Sequence, residues 1–262
     1  MRVTTAQHPP GGGDDRVLIT RDAVIMLDGA SALTPVPVPA SEYADKLTRH
    51  IAGRLDHPNG DILAALADAI SATAGELDLH PGESPSSTVT ILRQTGNYVE
   101  CLVLGDNLVV LPGHVITDDR MSRVGARQRE QYRNNLEAGH GYNAQHRAAL
   151  RELQAEQARH RNQPDGYWIA ETDPEAAKHA IVSRHPITSA PWAVLATDGA
   201  YKTMTHLGLA DWPCLRDASS DDLAQLIKRC HAWEADDDAD GQKLPRAKRH
   251  DDKSLAIATF GT

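Results

Sequence analysis

Ala23-Val24-Ile25-Met26-Leu27-Asp28-Gly29-Ala30-Ser31 is an unbroken apolar run that ends on a carboxylate followed at once by a glycine. A run of this length between polar neighbours fits a strand covered on both faces. A carboxylate at the exit of such a strand is costly unless its charge is compensated, and a bound cation is the strongest compensator. The glycine lets the backbone turn sharply and come close to a ligand. Alone, the stretch is also what an ordinary strand–Asp–Gly turn looks like.

Repetition adds weight. Pro191-Trp192-Ala193-Val194-Leu195-Ala196-Thr197-Asp198-Gly199 has the same form, and Asp251-Asp252 leads into the apolar stretch Lys253–Thr259 as its mirror image. A further acidic pair, Asp14-Asp15, precedes Arg16-Val17-Leu18-Ile19. Acids at four strand ends can bring their oxygens to one rim of a sheet, the all-oxygen environment that Mg²⁺ or Mn²⁺ requires.

With 262 residues and 40% hydrophobic content the chain can bury a full core, and a single domain over residues 1–262 is expected. One phenylalanine makes that core aliphatic. A formal charge of −9 argues against a nucleic-acid binder. Cys101, Cys214 and Cys230 have no CxxC spacing and suggest neither a zinc site nor a disulfide framework. Met1–Gln7 lacks the apolar core of a signal peptide, and no run approaches membrane-spanning length. The expectation is a cytoplasmic protein with no membrane or nucleic-acid partner.

Residues 1–13, ending in His8-Pro9-Pro10-Gly11-Gly12-Gly13, predict a flexible N-terminus. Strands are expected at Arg16–Ile19, Ala23–Leu27, Ser87–Arg93, Asn97–Leu104, Leu108–Leu111 and Gly166–Ala170. Gly105-Asp106-Asn107 reads as a tight hairpin turn, and Thr34–Pro39 as an extended surface segment. Helices are expected from Ser41 to about Leu55, from about Asp61 to Leu77, from Asp173-Pro174-Glu175 onward, and over Tyr201–Leu207 and Ser220–Ala235. Residues 120–162 form a basic, mostly helical excursion, with 9 arginines against 4 glutamates between Arg120 and Arg161. It is either a solvated helical face with ion pairs, a cover over an anionic substrate, or a docking surface for a protein partner. The basic loop Lys243–Arg249 stands immediately before the acids at 251–252 and can meet phosphate.

Taken in order, Asp15, Asp28-Gly29, Gly105-Asp106, Asp198-Gly199 and Asp251-Asp252 resemble the metal-dependent protein phosphatases, the protein phosphatase 2C family, in its bacterial form. The likeness spans about Gly13 to Phe260. It implies an α+β fold, a four-layer α/β/β/α sandwich with two central antiparallel sheets, holding two Mn²⁺ or Mg²⁺ ions and a weaker third. By that resemblance Asp28 bridges both ions, the Gly29 carbonyl binds one, and Asp198 and Asp251 bind the other. Asp15 acts near the site, and Asp106 with Asp198 matches the third-ion positions. The implied reaction is hydrolysis of phosphoserine or phosphothreonine in proteins by a water held between the two ions.

Several positions depart from the family pattern. Asp28-Gly29-Ala30-Ser31-Ala32 replaces Asp-Gly-His-Gly-Gly, and Gly105-Asp106-Asn107 replaces Gly-Asp-Ser. The arginine that grips phosphate has no counterpart, since Pro9 and Pro10 lie at about its place. Arg16, Lys248 and Arg249, or the excursion, are candidates for that task. His250, next to Asp251, is the preferred general acid among His8, His114, His140, His206 and His250. Other readings are a non-catalytic regulatory domain on the same fold, a small-molecule phosphatase, or an N-terminal-nucleophile hydrolase processed at Thr4 or Thr5.

Overall fold

The computed structural model describes residues 1–30, 35–55 and 60–261. Ser31, Ala32 and Thr34, at the end of the first Asp-Gly motif and the start of the proline-rich stretch, lie outside them. Strands β1 (Arg2–His8), β6 (Leu108–Leu111), β7 (His114–Ile116), β9 (Trp192–Ala196) and β10 (Lys253–Thr259) make one antiparallel sheet, in the order β1-β10-β9-β6-β7. Strands β2 (Arg16–Ile19), β3 (Ala23–Leu27), β4 (Val89–Thr95), β5 (Tyr98–Leu104) and β8 (Ile181–Pro186) make the second, in the order β2-β3-β4-β5-β8.

Period-two alternation explains the layering. On β3, Val24 and Met26 face the space between the sheets, with Leu92, Val103, Leu195, Ala256 and Ala258. Ala23, Ile25 and Leu27 face the other way, onto helices α1 (Ala40–Leu55) and α2 (Ile62–Glu76) through Tyr43, Leu47, Ile51, Leu66 and Ile70. Every residue of β3 is buried, as a doubly covered strand requires. A buried leucine or isoleucine here contributes about 1.5–3 kcal/mol relative to an exposed one. β9 repeats the arrangement: Ala193 and Leu195 point between the sheets, while Trp192, Val194 and Ala196 face the outer helices.

Between β7 and β8 runs the excursion, as α3 (Arg120–Arg123), α4 (Ala126–Glu137) and α5 (Ala144–His160). Tyr132, Leu136, Ala149 and Leu153 pack α4 against α5 in a small core of their own. α6 (Asp198–His206), α7 (Trp212–Leu215) and α8 (Ser220–Asp236) then cover the first sheet through Met204, Leu223 and Ile227. The fold is thus the four-layer sandwich expected. None of the helices is long and apolar enough to cross a membrane among the described residues.

Four local expectations are corrected. Residues 2–8, expected within a flexible N-terminus, form β1, which pairs along its length with β10 from Arg2↔Thr259 to His8↔Lys253. Its Thr-rich sequence hid it because pairing on a single neighbour at a sheet edge needs no apolar pattern. Gly105-Asp106-Asn107 closes no hairpin: β5 pairs with β4 and β8, β6 with β7 and β9, so the turn carries the chain from one sheet to the other. Gly166–Ala170 is no strand; its backbone bonds go to isolated partners such as Ser87 and His160. β8 was not foreseen, since Ile181 and Val182 are exposed on an edge and show no alternation.

Candidate metal centre

The Asp-Gly stretches end at one rim of the two sheets. At the first, the Asp28 amide donates to Thr88 Oγ1 (3.0 Å), and its carbonyl accepts from the Thr88 amide (3.0 Å) and Ser87 Oγ (2.9 Å). The backbone of Asp28 is thereby fixed on both sides. Gly29 comes next because there is no room for anything larger: a Cβ there would stand 2.7 Å from the Asp14 carbonyl oxygen. At the second, Asp198 opens α6, and a Cβ on Gly199 would overlap the Asp252 carbonyl. Both glycines are therefore close-approach glycines, each letting one acid-bearing segment touch the next. Gly105 serves similarly, with φ +90° and Thr88 against its α-carbon.

Asp15 is buried beneath them. Its Oδ2 accepts from Ser254 Oγ (2.8 Å) and Thr197 Oγ1 (3.0 Å), whereas Oδ1 is buried with no hydrogen-bond partner. Burial, opposed by those two hydroxyls and reinforced by Asp252 and Asp251, pushes its carboxyl up to about 8. Burial also raises Asp28 well above the usual carboxylate range, and the charges of Asp15, Asp198, Asp251 and Asp106 push it further. Asp106 is raised to about 6 by burial and by Asp198, and Asp251 upward for the same two reasons. The five acids foreseen from the sequence thus act on one another at a common place.

Asp198 behaves differently. Burial raises it, but the Lys202 ammonium, a hydrogen bond from that ammonium and one from Asp28 outweigh burial and hold it at about 2. Lys202 Nζ is 2.6 Å from Asp198 Oδ2 and 3.6 Å from Asp106 Oδ2, and Lys248 Nζ is 2.6 Å from Asp251 Oδ1. Sequence reading passed over Lys202, although its i,i+4 spacing from Asp198 is a helix ion-pair signal. It also passed over Thr197 and Ser254, the hydroxyls that hold Asp15.

The other candidates separate. Lys248 reaches the rim. Arg16 donates to the carbonyls of Gly13 (2.7 Å) and Asp15 (2.6 Å) and lies 3.8 Å from Asp45, so it fastens the loop that carries Asp15. Arg249 stands 5.7 Å from the centre of the Tyr142 ring on the excursion. His250 lies against His231, with ring centres 4.4 Å apart, and its Nδ1 is 3.5 Å from Glu234. The excursion is tied to the basic loop by His146 Nε2 on the Ala247 carbonyl (2.8 Å) and Gln242 Nε2 donating to the Glu137 carbonyl (3.0 Å). Arg129 on α4 is close enough for its charge to act on Asp106.

The donor set fits a hard divalent cation. It offers several carboxylates, one buried carboxyl oxygen without a hydrogen-bond partner, and like charges pressed together.

Solved structures share this architecture over nearly the whole chain. A bacterial serine phosphatase matches with TM-score 0.58 and 11% identity, covering 100% of this chain and 98% of the other. The photosystem II phosphatase PBCP matches with TM-score 0.58 and 13% identity, covering 99% and 98%. The catalytic domain of the serine/threonine phosphatase PstP, in complex with two manganese ions, matches with TM-score 0.50 and 15% identity, covering 98% and 97%. The chain has the fold of the metal-dependent serine/threonine phosphatases. No protein-family model matches the sequence, and no curated protein does either. Asp28 and Asp198 stand just beyond the C-terminal ends of β3 and β9, where their charges act on each other.

Proposed function

We propose that the chain is a metal-dependent phosphomonoesterase acting on phosphoserine and phosphothreonine in proteins. The observation that carries this reading is the gathering of Asp15, Asp28, Asp106, Asp198 and Asp251 from separate strand ends on a phosphatase fold. Asp28 and the Gly29 carbonyl, with Asp198 and Asp251, would hold two Mn²⁺ or Mg²⁺ ions, and Asp106 with Asp198 a weaker third. When bound, such ions supply an activated water and neutralise charge on the phosphoryl oxygens. Thr197 and Ser254 hold Asp15 in place from below. Lys248, at the rim, is the residue best placed to meet a phosphate oxygen in place of the missing arginine. The Arg129 charge acts on the rim acid Asp106, which supports the substrate-cover reading of residues 120–161.

A second reading has its own support. Lys202 and Lys248 already stand on rim carboxylates, an arrangement that suits a non-catalytic regulatory domain with internal cations. One experiment separates the two: Mn²⁺ titration by calorimetry beside turnover of p-nitrophenyl phosphate and a phosphopeptide. The phosphatase reading expects saturable binding and turnover abolished by EDTA and by Asp198→Ala. Absent binding and absent turnover reject it. Replacing Arg129 by Ala should raise KM for the phosphopeptide more than it lowers kcat, and an unchanged KM removes the excursion from the site.

A further inference from the structure

Behind the rim lies a cluster that the phosphatase reading does not use. α8 places His231 and Glu234 three residues apart on one helical face. The loop before β10 adds His250, and among the described residues these three each offer a ligand atom within 4.8 Å of the other two. His8, at the end of β1, packs against His231 with its ring tilted by 52° and the ring centres 4.2 Å apart. Nδ1 of His231 and Nδ1 of His250 are both buried without a hydrogen-bond partner. His250 Nδ1 stands 3.5 Å from Glu234 Oε2 without a hydrogen bond, and a buried nitrogen left unbonded costs on the order of 1–3 kcal/mol. His146 also buries an unbonded Nδ1 while its Nε2 meets the Ala247 carbonyl (2.8 Å), so what sets this cluster apart is that two imidazoles and a carboxylate converge on one point.

We propose that His231, Glu234 and His250 form a second cation site, separate from the carboxylate rim, for a borderline transition metal of the Zn²⁺ class. Two imidazole nitrogens and one carboxylate are the donors that such ions prefer and Mg²⁺ does not. Glu234 is buried and held from behind: Thr203 Oγ1 donates to Oε1 (2.7 Å) and Lys253 Nζ to Oε2 (2.9 Å). Such outer partners orient a ligating carboxylate, although the Lys253 charge also weakens the site. The rings of His231 and His250 are half-buried, so an ion can enter from solvent. A bound ion would clamp α8 to the segment that carries Asp251, one residue beyond His250.

The test is Co²⁺ titration of the full chain in millimolar Mg²⁺, read by visible absorption. One equivalent with nitrogen-ligand d–d bands, displaced by Zn²⁺, is expected. Affinity should fall at least about 10-fold in His231→Gln and in His250→Gln and stay unchanged in Asp198→Asn. No absorption, or absorption lost in Asp198→Asn but kept in both histidine variants, overturns the proposal. Should the histidine variants misfold, Zn²⁺ protection of His231 and His250 from diethyl pyrocarbonate in the unaltered protein decides it. Equal modification with and without Zn²⁺ overturns it. Because the readouts are binding and protection, failure here leaves the phosphatase reading standing, and loss of turnover there leaves this one standing.

Discussion

The two Asp-Gly strand ends are nearly the same in sequence and opposite in chemistry. Asp28 leaves β3 into a turn, has no ion pair among the described residues, though the Lys248 charge acts on it, and is driven toward the protonated form by burial and four neighbouring acids. Asp198 leaves β9 as the first residue of a helix that carries Lys202 one turn on, and it is held ionised at about 2 against its own burial. The contact between the two carboxyls lowers Asp198 further, while the Asp198 charge raises Asp28. The glycines, by contrast, do the same job at both ends. The difference teaches that the strand–Asp–Gly letters specify position, while the charge state of each acid is set by whether a helix one turn downstream supplies a cation.

Removing either acid should have the largest effect and should break the pair in opposite directions. Asp28→Asn and Asp198→Asn are both expected to lower Mn²⁺-dependent turnover by on the order of 10³-fold, the scale of a lost charge-stabilising group. Their stability in EDTA should diverge. Asp28→Asn relieves like-charge repulsion and should stabilise by about 0.5–2 kcal/mol, as substitutions at strained functional positions commonly do. Asp198→Asn strands Lys202 and should destabilise. Urea midpoints that move the same way would show that the two ends are chemically alike after all.

Next comes the shared part. Gly199→Ala should destabilise by about 1–3 kcal/mol, because its Cβ meets the Asp252 backbone. Gly29→Ala should cost less, since the Asp14 carbonyl lies at 2.7 Å and the neighbouring Ala40 methyl at 3.3 Å. Chemical denaturation in EDTA checks both, and a neutral Gly199→Ala would refute the close-approach account.

Acidity offers a subtler contrast. Asp15 titrates near 8 in the folded chain and near the ordinary value of about 4 unfolded. Between those values the folded state holds a proton that the unfolded state has lost, so stability without metal should fall as pH rises from about 4 to about 8. Saturating Mn²⁺ should flatten that slope, because the ion takes the proton's place. Thermal melts across this range, with and without Mn²⁺, measure it. A rising apo slope would mean that Asp15 is ionised and paired.

Much of this was legible in the sequence. The doubly buried strands announced themselves as continuous apolar runs, and α2 by the helical spacing of Ile62, Leu66, Ala69 and Ile70; its cap, Asp61 accepting from the Leu63 amide, emerges only in the structure. The acids were legible because each stands just before or just after a strand. The features that stayed hidden depend on partners distant in the chain. β1 is a strand only because β10, from the opposite end of the sequence, lies beside it. Gly105-Asp106-Asn107 has hairpin letters, and only the competing pairings of β4 and β8 for β5 turn it into a crossing. His250 looked like a neighbour of the metal acids, but a one-residue step along an extended chain reverses the side on which a side chain stands, and it met His231 instead.

The smallest effect is expected from Lys202, and it sharpens the comparison most. Its ammonium reaches both Asp198 and Asp106, so it competes with any cation those two acids would share. Lys202→Met removes the competitor while keeping the stem that packs along α6. The side chain is about half exposed, so solvent screens much of the interaction, and an exposed pair is worth under about 1 kcal/mol. Mn²⁺ affinity should therefore tighten by no more than about fivefold, and Asp198 should lose part of its advantage over Asp28. Calorimetric titration resolves a change of that size. Weaker binding in Lys202→Met would mean that the ammonium organises the rim for the ion, and the two strand ends would then differ by design of the site rather than by competition within it.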